Sequence, residues 1–483
     1  MRRTATLTMI AAMMLSACGG GSDGGSRSGT VRVEPTPTPT PTPAATTAAC
    51  SLGARQQWAA EQFDEWYLFP ETLPEALDPS PYRDLGSYID ALTATARAQG
   101  RDRYFSYATS IAEEDAYYDS GASAGFGFRL GVDYAAGRLA IIESFEGAPA
   151  LAAGIDRGSE IVAIGTTSGN LRNVDAMLAS GGVNSVLAAL GPDTVGTSRV
   201  LRVADASGAR TVTLTKTEFE LLPVSTRYGA KVIDDGGRNV GYLNLRTFIE
   251  TADPALRKAF ARFRAQGITE MVVDLRYNGG GLISTAHLMA DLMGADRATS
   301  DVLGYTTFRP DKASENETRF FAPQPESIAP MRIAFIGSGG TASASELVIN
   351  AFTPYLGNRS ALVGTNTYGK PVGQIAVDRP ECDDRLRIIA LAVENADHQG
   401  AYFDGLAETV EASCQAPDDI SYPLGDPREG SIRQALNFLA GRACTPIGGA
   451  SAMARTLAPS AAARALLVPD RPSTAQREVP GLF

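Results

Sequence analysis

The sequence predicts an α/β protein in which a small helical unit and a β-rich module precede a core of alternating strands and helices. Three patterns carry that reading. Leu85, Tyr88, Ile89 and Leu92 recur at i, i+3, i+4 and i+7 behind a capping Asp84, the spacing of one buried helix face. From about Ser120, short apolar runs are separated by glycines, as strands and turns are. From Val240 onward strand-like runs alternate with helical ones, which calls for crossover connections and a largely parallel sheet.

The first residues precede the fold. Arg2 and Arg3 followed by the apolar stretch Ala5 to Leu15 form an export signal, and Leu15-Ser16-Ala17-Cys18 resembles a bacterial lipobox in which Cys18 receives the lipid. Residues 1–18 are therefore expected to be a lipoprotein signal peptide. Residues 19–49 are a spacer, Gly/Ser-rich from Gly19 to Gly29 and alternating Pro and Thr from Pro35 to Pro43, which lifts a domain off a membrane. The expected location is the periplasmic side of a bacterial envelope, anchored to a membrane, with the outer membrane the favoured one. The body, 44% hydrophobic and 20% charged, has a soluble composition, and a net charge of -11 without a Lys/Arg cluster argues against nucleic acid as a partner.

Residues 50–117 form the helical unit, with Trp58, Phe63, Trp66 and Tyr67 in one helix; both tryptophans are read as its core. Residues 118–222 form the β-rich module: Gly125-Phe126-Gly127-Phe128, then runs at Leu139 to Phe145, Glu160 to Ile164, Ser198 to Val203 and Thr211 to Thr215. Between them lie short helices at Ala148 to Ile155 and Val183 to Leu190. In this order the elements resemble a PDZ domain of the bacterial protease type. That resemblance implies that Gly125, Phe126, Gly127 and Phe128 form the loop that offers N–H groups to a peptide carboxylate, beside a strand edge that pairs with the peptide backbone.

Residues 223–444 form the core. Val240 to Phe248 and Glu270 to Leu275 are strands flanking a helix opened by Asp253-Pro254; Met331 to Ile336 leads through Gly337-Ser338-Gly339-Gly340-Thr341 into a helix near Ala344; Ser360 to Gly364 is a further strand. Residues 445–483, rich in Ala, Pro and Arg and without a sustained amphipathic period, are expected to be disordered.

Three segments carry chemistry. Thr341-Ala342-Ser343-Ala344-Ser345-Glu346 presents serines at a helix start, where unpaired N–H groups stabilise an oxyanion. Tyr368-Gly369-Lys370-Pro371-Val372-Gly373-Gln374 sets a lysine among small and apolar neighbours, in a chain whose other lysines are only Lys216, Lys231, Lys258 and Lys312. A lysine acts as a base only when burial lowers its pKa. Asp274-Leu275-Arg276-Tyr277-Asn278-Gly279-Gly280-Gly281-Leu282 ends a strand in a glycine loop whose backbone can form half of an oxyanion hole. It lacks the glycine-lysine pattern of a phosphate-binding loop.

Together these segments resemble the C-terminal processing peptidases, or tail-specific proteases, a family of serine peptidases, over about Phe63 to Leu439. The resemblance implies a crotonase-like protease core and a serine endopeptidase that cleaves polypeptides near their C-termini. It implies Ser343 as nucleophile, Lys370 as general base, Gln374 as the residue orienting the lysine, and Gly280 or Gly281 together with Ala344 as oxyanion donors. Ser345 is the less favoured nucleophile. Pro371 departs from the family pattern and supplies no N–H. The expected partners are polypeptides with free C-termini and, through Cys18, a membrane; neither metal nor organic cofactor is called for.

The rival reading is a non-catalytic periplasmic peptide-binding scaffold, against which the intact Ser343, Lys370 and Gln374 speak. A Ser-His-Asp mechanism has only His287, on the helix after the triple glycine, and His398, in a polar loop. Cys50, Cys382, Cys414 and Cys444 make two disulfides in an exported protein; pairing Cys382 with Cys414 and Cys50 with Cys444 is the preferred arrangement of three. The apolar ending Val479-Pro480-Gly481-Leu482-Phe483 is suited to the chain's own PDZ-like groove.

Overall fold

A computed structural model describes residues 48–448 and 464–483. The export signal, Cys18 and nearly all of the spacer lie outside the described residues. Among those described, no helix is long and apolar enough to cross a membrane.

The centre is a six-stranded sheet ordered Ala230–Asp235, Arg238–Asn244, Glu270–Asp274, Arg332–Gly337, Ser360–Gly364 and Ser413–Gln415. All neighbours after the first pair are parallel. These strands read as nearly continuous Val, Ile, Leu and Ala because helices cover both faces. On one face lie Ala252–Ala265, Ile283–Leu292 and Ala344–Leu356; Gly430–Leu439 packs on the other. The functional loops leave the carboxyl ends of the parallel strands, where ligands gather in open α/β sheets.

A second, five-stranded sheet carries Tyr107–Ser110, Val302–Phe308, Glu317–Phe320, Val372–Arg379 and the long Asp384–Glu394. The helical unit sits on it. Leu52–Trp66, capped by Ser51, and Leu85–Leu92, capped by Asp84, bury Phe63, Tyr67, Tyr88 and Ile89 against Val372, Leu386, Ile388 and Ile389. Trp58 and Trp66 are partly buried at the edge of that cluster.

The β-rich module is a seven-stranded sheet built on Phe128–Asp133, Arg138–Ser144, Glu160–Gly165, Ser198–Asp205 and Gly208–Thr215. Its helix Val174–Leu190 starts earlier than the apolar run suggests and breaks at Gly181 and Gly182. Buried charge pairs join module to core. Arg246 bonds Glu143 at 2.7 Å and Glu146 at 2.8 Å, while Arg157 reaches Asp418 at 2.7 Å, beside Arg276. Burial pushes the Glu143 carboxyl up, but Arg246 and Arg129 outweigh it and hold it at about 2.

Two expectations are corrected. The disulfides are Cys50–Cys382 and Cys414–Cys444. Cys382 lies in the turn between two strands of the second sheet and Cys414 on the edge strand of the central one, so each meets its own neighbour. The tail is not disordered throughout: Ala465–Leu466 adds a strand to the module, and Thr474–Glu478 is a helix capped by Ser473. Its apolar residues Leu467, Val479, Leu482 and Phe483 are buried. They fall in segments too short for a periodic signal.

Candidate active site

Strand Arg332–Gly337 ends in a turn that delivers Ser343 to the first position before helix Ala344–Leu356. Ser343 holds φ 54°, a left-handed conformation that a side-chain-bearing residue keeps only when its surroundings enforce it. They do. Thr341 Oγ1 donates to the Leu275 carbonyl at 2.8 Å and accepts the Ser338 N–H at 2.9 Å. The Ala342 N–H and the Ser345 hydroxyl both donate to the Asn278 carbonyl at 3.0 Å. Ser345 is thus fully buried and committed to the glycine loop, while Ser343 is partly exposed.

The glycine loop lies against this turn. A Cβ on Gly280 would come 2.8 Å from Ser343 Cβ and 3.2 Å from the Ala344 nitrogen, so only glycine permits the approach. The Asn278 side chain shapes the loop, donating to the Leu245 carbonyl at 2.9 Å and accepting the Gly280 N–H at 3.0 Å. Of the two glycines read as oxyanion donors, Gly280 therefore has its N–H engaged. The Gly279 N–H donates to the carbonyl of Glu478 at 2.8 Å.

Lys370 comes from the loop before strand Val372–Arg379. Its Nζ donates to Gln374 Oε1 at 2.9 Å and lies 5.3 Å from the centre of the Phe105 ring. The Gln374 amide is held in turn by the Phe105 carbonyl. Burial lowers the Lys370 pKa to about 8, against an upward pull from Glu478. Arg103 clamps the loop from the helical side, donating to the Tyr368 and Gly369 carbonyls at 2.7 and 2.6 Å.

Glu346 joins the two halves. Its carboxylate accepts the N–H groups of Ser343 at 3.0 Å, Gly369 at 2.7 Å and Lys370 at 2.8 Å. Burial raises its pKa, and those hydrogen bonds oppose the rise. Lys370, Gly279 and Ala342 face a cavity of about 940 Å³.

Residues 239–407, which include the glycine loop, the serine turn and the lysine loop, match the profile of peptidase family S41. These residues make up a peptidase S41 domain. A carboxyl-terminal-processing protease of Picosynechococcus is 28% identical over 263 residues, covering 54% of this chain and 58% of that one. One of Synechocystis is 26% identical over 313 residues, covering 63% and 67%. The chain thus spans about three-fifths of the length of these curated relatives. The crystal structure of a protein assigned as an S41 protease from Bacteroides fragilis superposes with a TM-score of 0.61 at 21% identity, covering 80% of this chain and 97% of that one. That likeness establishes a shared mixed α/β fold.

The structure gathers Ser343, Ala344 and Gly280 at one junction and sets Lys370 beside Gln374, while Gly281 packs against Phe248. The loop Gly125 to Phe128 belongs to the module, where the N–H groups of Gly127 and Phe128 donate to the Phe483 carbonyl oxygen at 2.9 and 3.2 Å. His287 is a partly buried helix residue, its pKa lowered by desolvation to about 4, and His398 is exposed and stacked on Tyr305. Sequence reasoning assigned no role to Glu346, Asn278 or Arg103. Glu346 alone left a signal, standing three residues after the helix-capping serine at capping-box spacing.

Proposed function

We propose that the chain is a serine endopeptidase that cleaves polypeptides near their C-termini by a Ser343/Lys370 acyl-enzyme mechanism, with the β-rich module acting as a PDZ-like receptor for substrate tails. The observation that carries this reading is a lysine fixed by Gln374 and tied through Glu346 to the backbone of a strained serine, in surroundings that lower its pKa. Neutral Lys370 takes the Ser343 proton as Oγ attacks the scissile carbonyl. The helix-opening Ala344 N–H and that of Gly281 hold the oxyanion, since Gly280 is spent on Asn278. Protonated Lys370 then passes its proton to the leaving amine, and water, deprotonated by the same lysine, releases the acyl group.

The core is read as crotonase-like. Export and anchoring through Cys18 are proposed from the leader, and two disulfides suit an oxidising compartment. The deciding experiment compares wild type with Ser343→Ala on a peptide with an apolar C-terminus, followed by mass spectrometry. A loss of at least ~10³-fold is expected for removal of a nucleophile; equal cleavage by both would overturn the assignment.

A further inference from the structure

The segment from residue 464 to 483 lies along one strand edge in two pieces. Ala465 and Leu466 pair antiparallel with Val132 and Gly131, and the Leu467 N–H donates to the Leu130 carbonyl at 3.0 Å. The chain then leaves the edge and returns further along the same strand. The Leu130 N–H donates to the Gly481 carbonyl at 2.8 Å, Leu482 bridges Arg129, and the Phe483 N–H donates to the Phe128 carbonyl at 2.9 Å. This is strand addition to a sheet edge, the way extended peptides are captured.

Side chains anchor the returning piece. Phe483 is 4% exposed within the apolar cluster of Phe126, Phe128 and Val186, while Val479 and Leu482 pack with Phe145, Phe219 and Leu221. Gly125 makes room, since a Cβ there would come 2.6 Å from the Phe483 carbonyl carbon. The Gln476 amide ties the Leu482 carbonyl at 3.0 Å to Asp193 at 2.8 Å.

The excursion between the two pieces crosses the cavity that Lys370, Gly279 and Ala342 face. Pro469, Gln476, Arg477 and Glu478 form part of its wall, and the Glu478 carbonyl takes the Gly279 N–H. The Arg477 guanidinium stacks on Tyr107 at 3.7 Å and donates to the Tyr104 carbonyl at 3.2 Å. Arg471 meets Asp84 and Asp90 of the helical unit at 3.1 and 3.3 Å. Here the contacts are mostly polar, exposed at Arg471 and buried at Thr474, Gln476 and Glu478, whereas the anchor at residues 479–483 is apolar.

We infer that residues 479–483 are an internal ligand of the module's groove, that residues 468–478 are the strap this ligand holds across the cleft, and that polypeptides ending in an apolar segment like Gly-Leu-Phe open the cleft by replacing it. The inference rests on the peptidase reading of the Ser343/Lys370 cleft. A tethered segment competes at an effective concentration in the mM range. A free peptide with an intrinsic Kd of roughly 10–100 μM is then weakened about 10- to 100-fold in the intact chain.

The test uses a fluorescent peptide of the sequence Arg-Glu-Val-Pro-Gly-Leu-Phe, its binding read by anisotropy on the full chain carrying Ser343→Ala, so that cleavage plays no part. Gly481→Val, at φ 87° with Leu130 and Arg129 atoms 3.0 Å from the new Cβ, should unseat the segment and tighten peptide binding at least about tenfold. Deleting residues 479–483 should do the same. In the otherwise unaltered chain, both changes, and unlabelled peptide added to wild type, should raise turnover of a quenched peptide that lacks an apolar end. Should the deletion fail to fold, Gly481→Val and the titration of wild type decide. Unchanged affinity in folded Gly481→Val, or turnover indifferent to added peptide, overturns the inference. If wild type shows no turnover, the peptidase reading fails, and anisotropy alone still decides whether the groove is self-filled.

Discussion

The cleft and the module's groove both receive backbone, yet they are built from opposite materials. Ser343 and Lys370 are held by polar contacts, Glu346 to three N–H groups and Asn278 to Leu245, Gly280, Ala342 and Ser345, with positive φ at Tyr277 and Ser343. The groove is a sheet edge, kinked between Arg129 and Leu130, backed by Phe126, Phe128 and Ile141. Polar networks fail all at once, because one lost acceptor strands several donors, whereas apolar contacts fail by increments. Damage in the cleft should therefore fall on turnover, and damage in the groove on affinity.

The contrast is tested most severely at Glu346. Glu346→Ala leaves one buried and two part-buried N–H groups without their acceptor, at up to about 1–3 kcal/mol each, and frees the serine turn from the lysine loop. Turnover should drop by at least ~10³-fold and the thermal midpoint should fall. Peptide binding to the module, measured below that midpoint, should survive. A variant keeping a tenth of wild-type turnover would show that the two loops hold their geometry without the carboxylate.

A smaller loss is expected at Gly280, which holds φ 124°. Gly280→Ala drives a methyl to within 2.8 Å of Ser343 Cβ, and a displacement of that kind at a reacting centre costs about 10²-fold in kcat. Gly53→Ala, in the first helix with nothing within 4 Å of the new Cβ, is the control. It should leave turnover unchanged and raise stability by roughly 0.5–1 kcal/mol. Equal effects at the two glycines would remove the distinction between a glycine needed for approach and one merely tolerated.

Much of the core was legible because each strand had a local reason to form. The strand expected at Ser360 to Gly364 has its observed bounds, Asp84 caps its helix, and the serine turn follows its strand as expected. What escaped depends on which distant segments meet. Cysteine spacing does not say that Cys382 sits beside the start of the first helix, nor that Gln415 pairs with Thr445 next to Cys414 and Cys444. The loss of Gly280 as a free donor comes from an Asn278 rotamer, to which composition is blind. The tail escaped because its order is borrowed: Leu467, Leu482 and Phe483 gain burial only from the module's edge.

The mildest expected effect is the pH dependence of the cleft, and it separates the lysine from everything else. Burial lowers Lys370 from its ordinary value to about 8, with Glu478 and Asp102 pulling it up and Arg477 and Arg387 pressing it down. The neutral base is then about a tenth of the population near pH 7 and about nine-tenths near pH 9, so kcat/KM should rise roughly tenfold over that interval and level off. Stability must follow the same proton. Between the folded value and the unfolded value near 10.5 the unfolded chain binds more protons, so the stability lost by burying the amine is recovered as pH rises through that window. At neutral pH the buried amine costs the fold on the order of 3 kcal/mol, which Lys370→Met should return while abolishing turnover. Calorimetry at pH 7 and pH 10 checks this. A methionine variant no more stable than wild type at pH 7 would mean that the ammonium is well solvated, and that the cleft is no costlier to build than the groove.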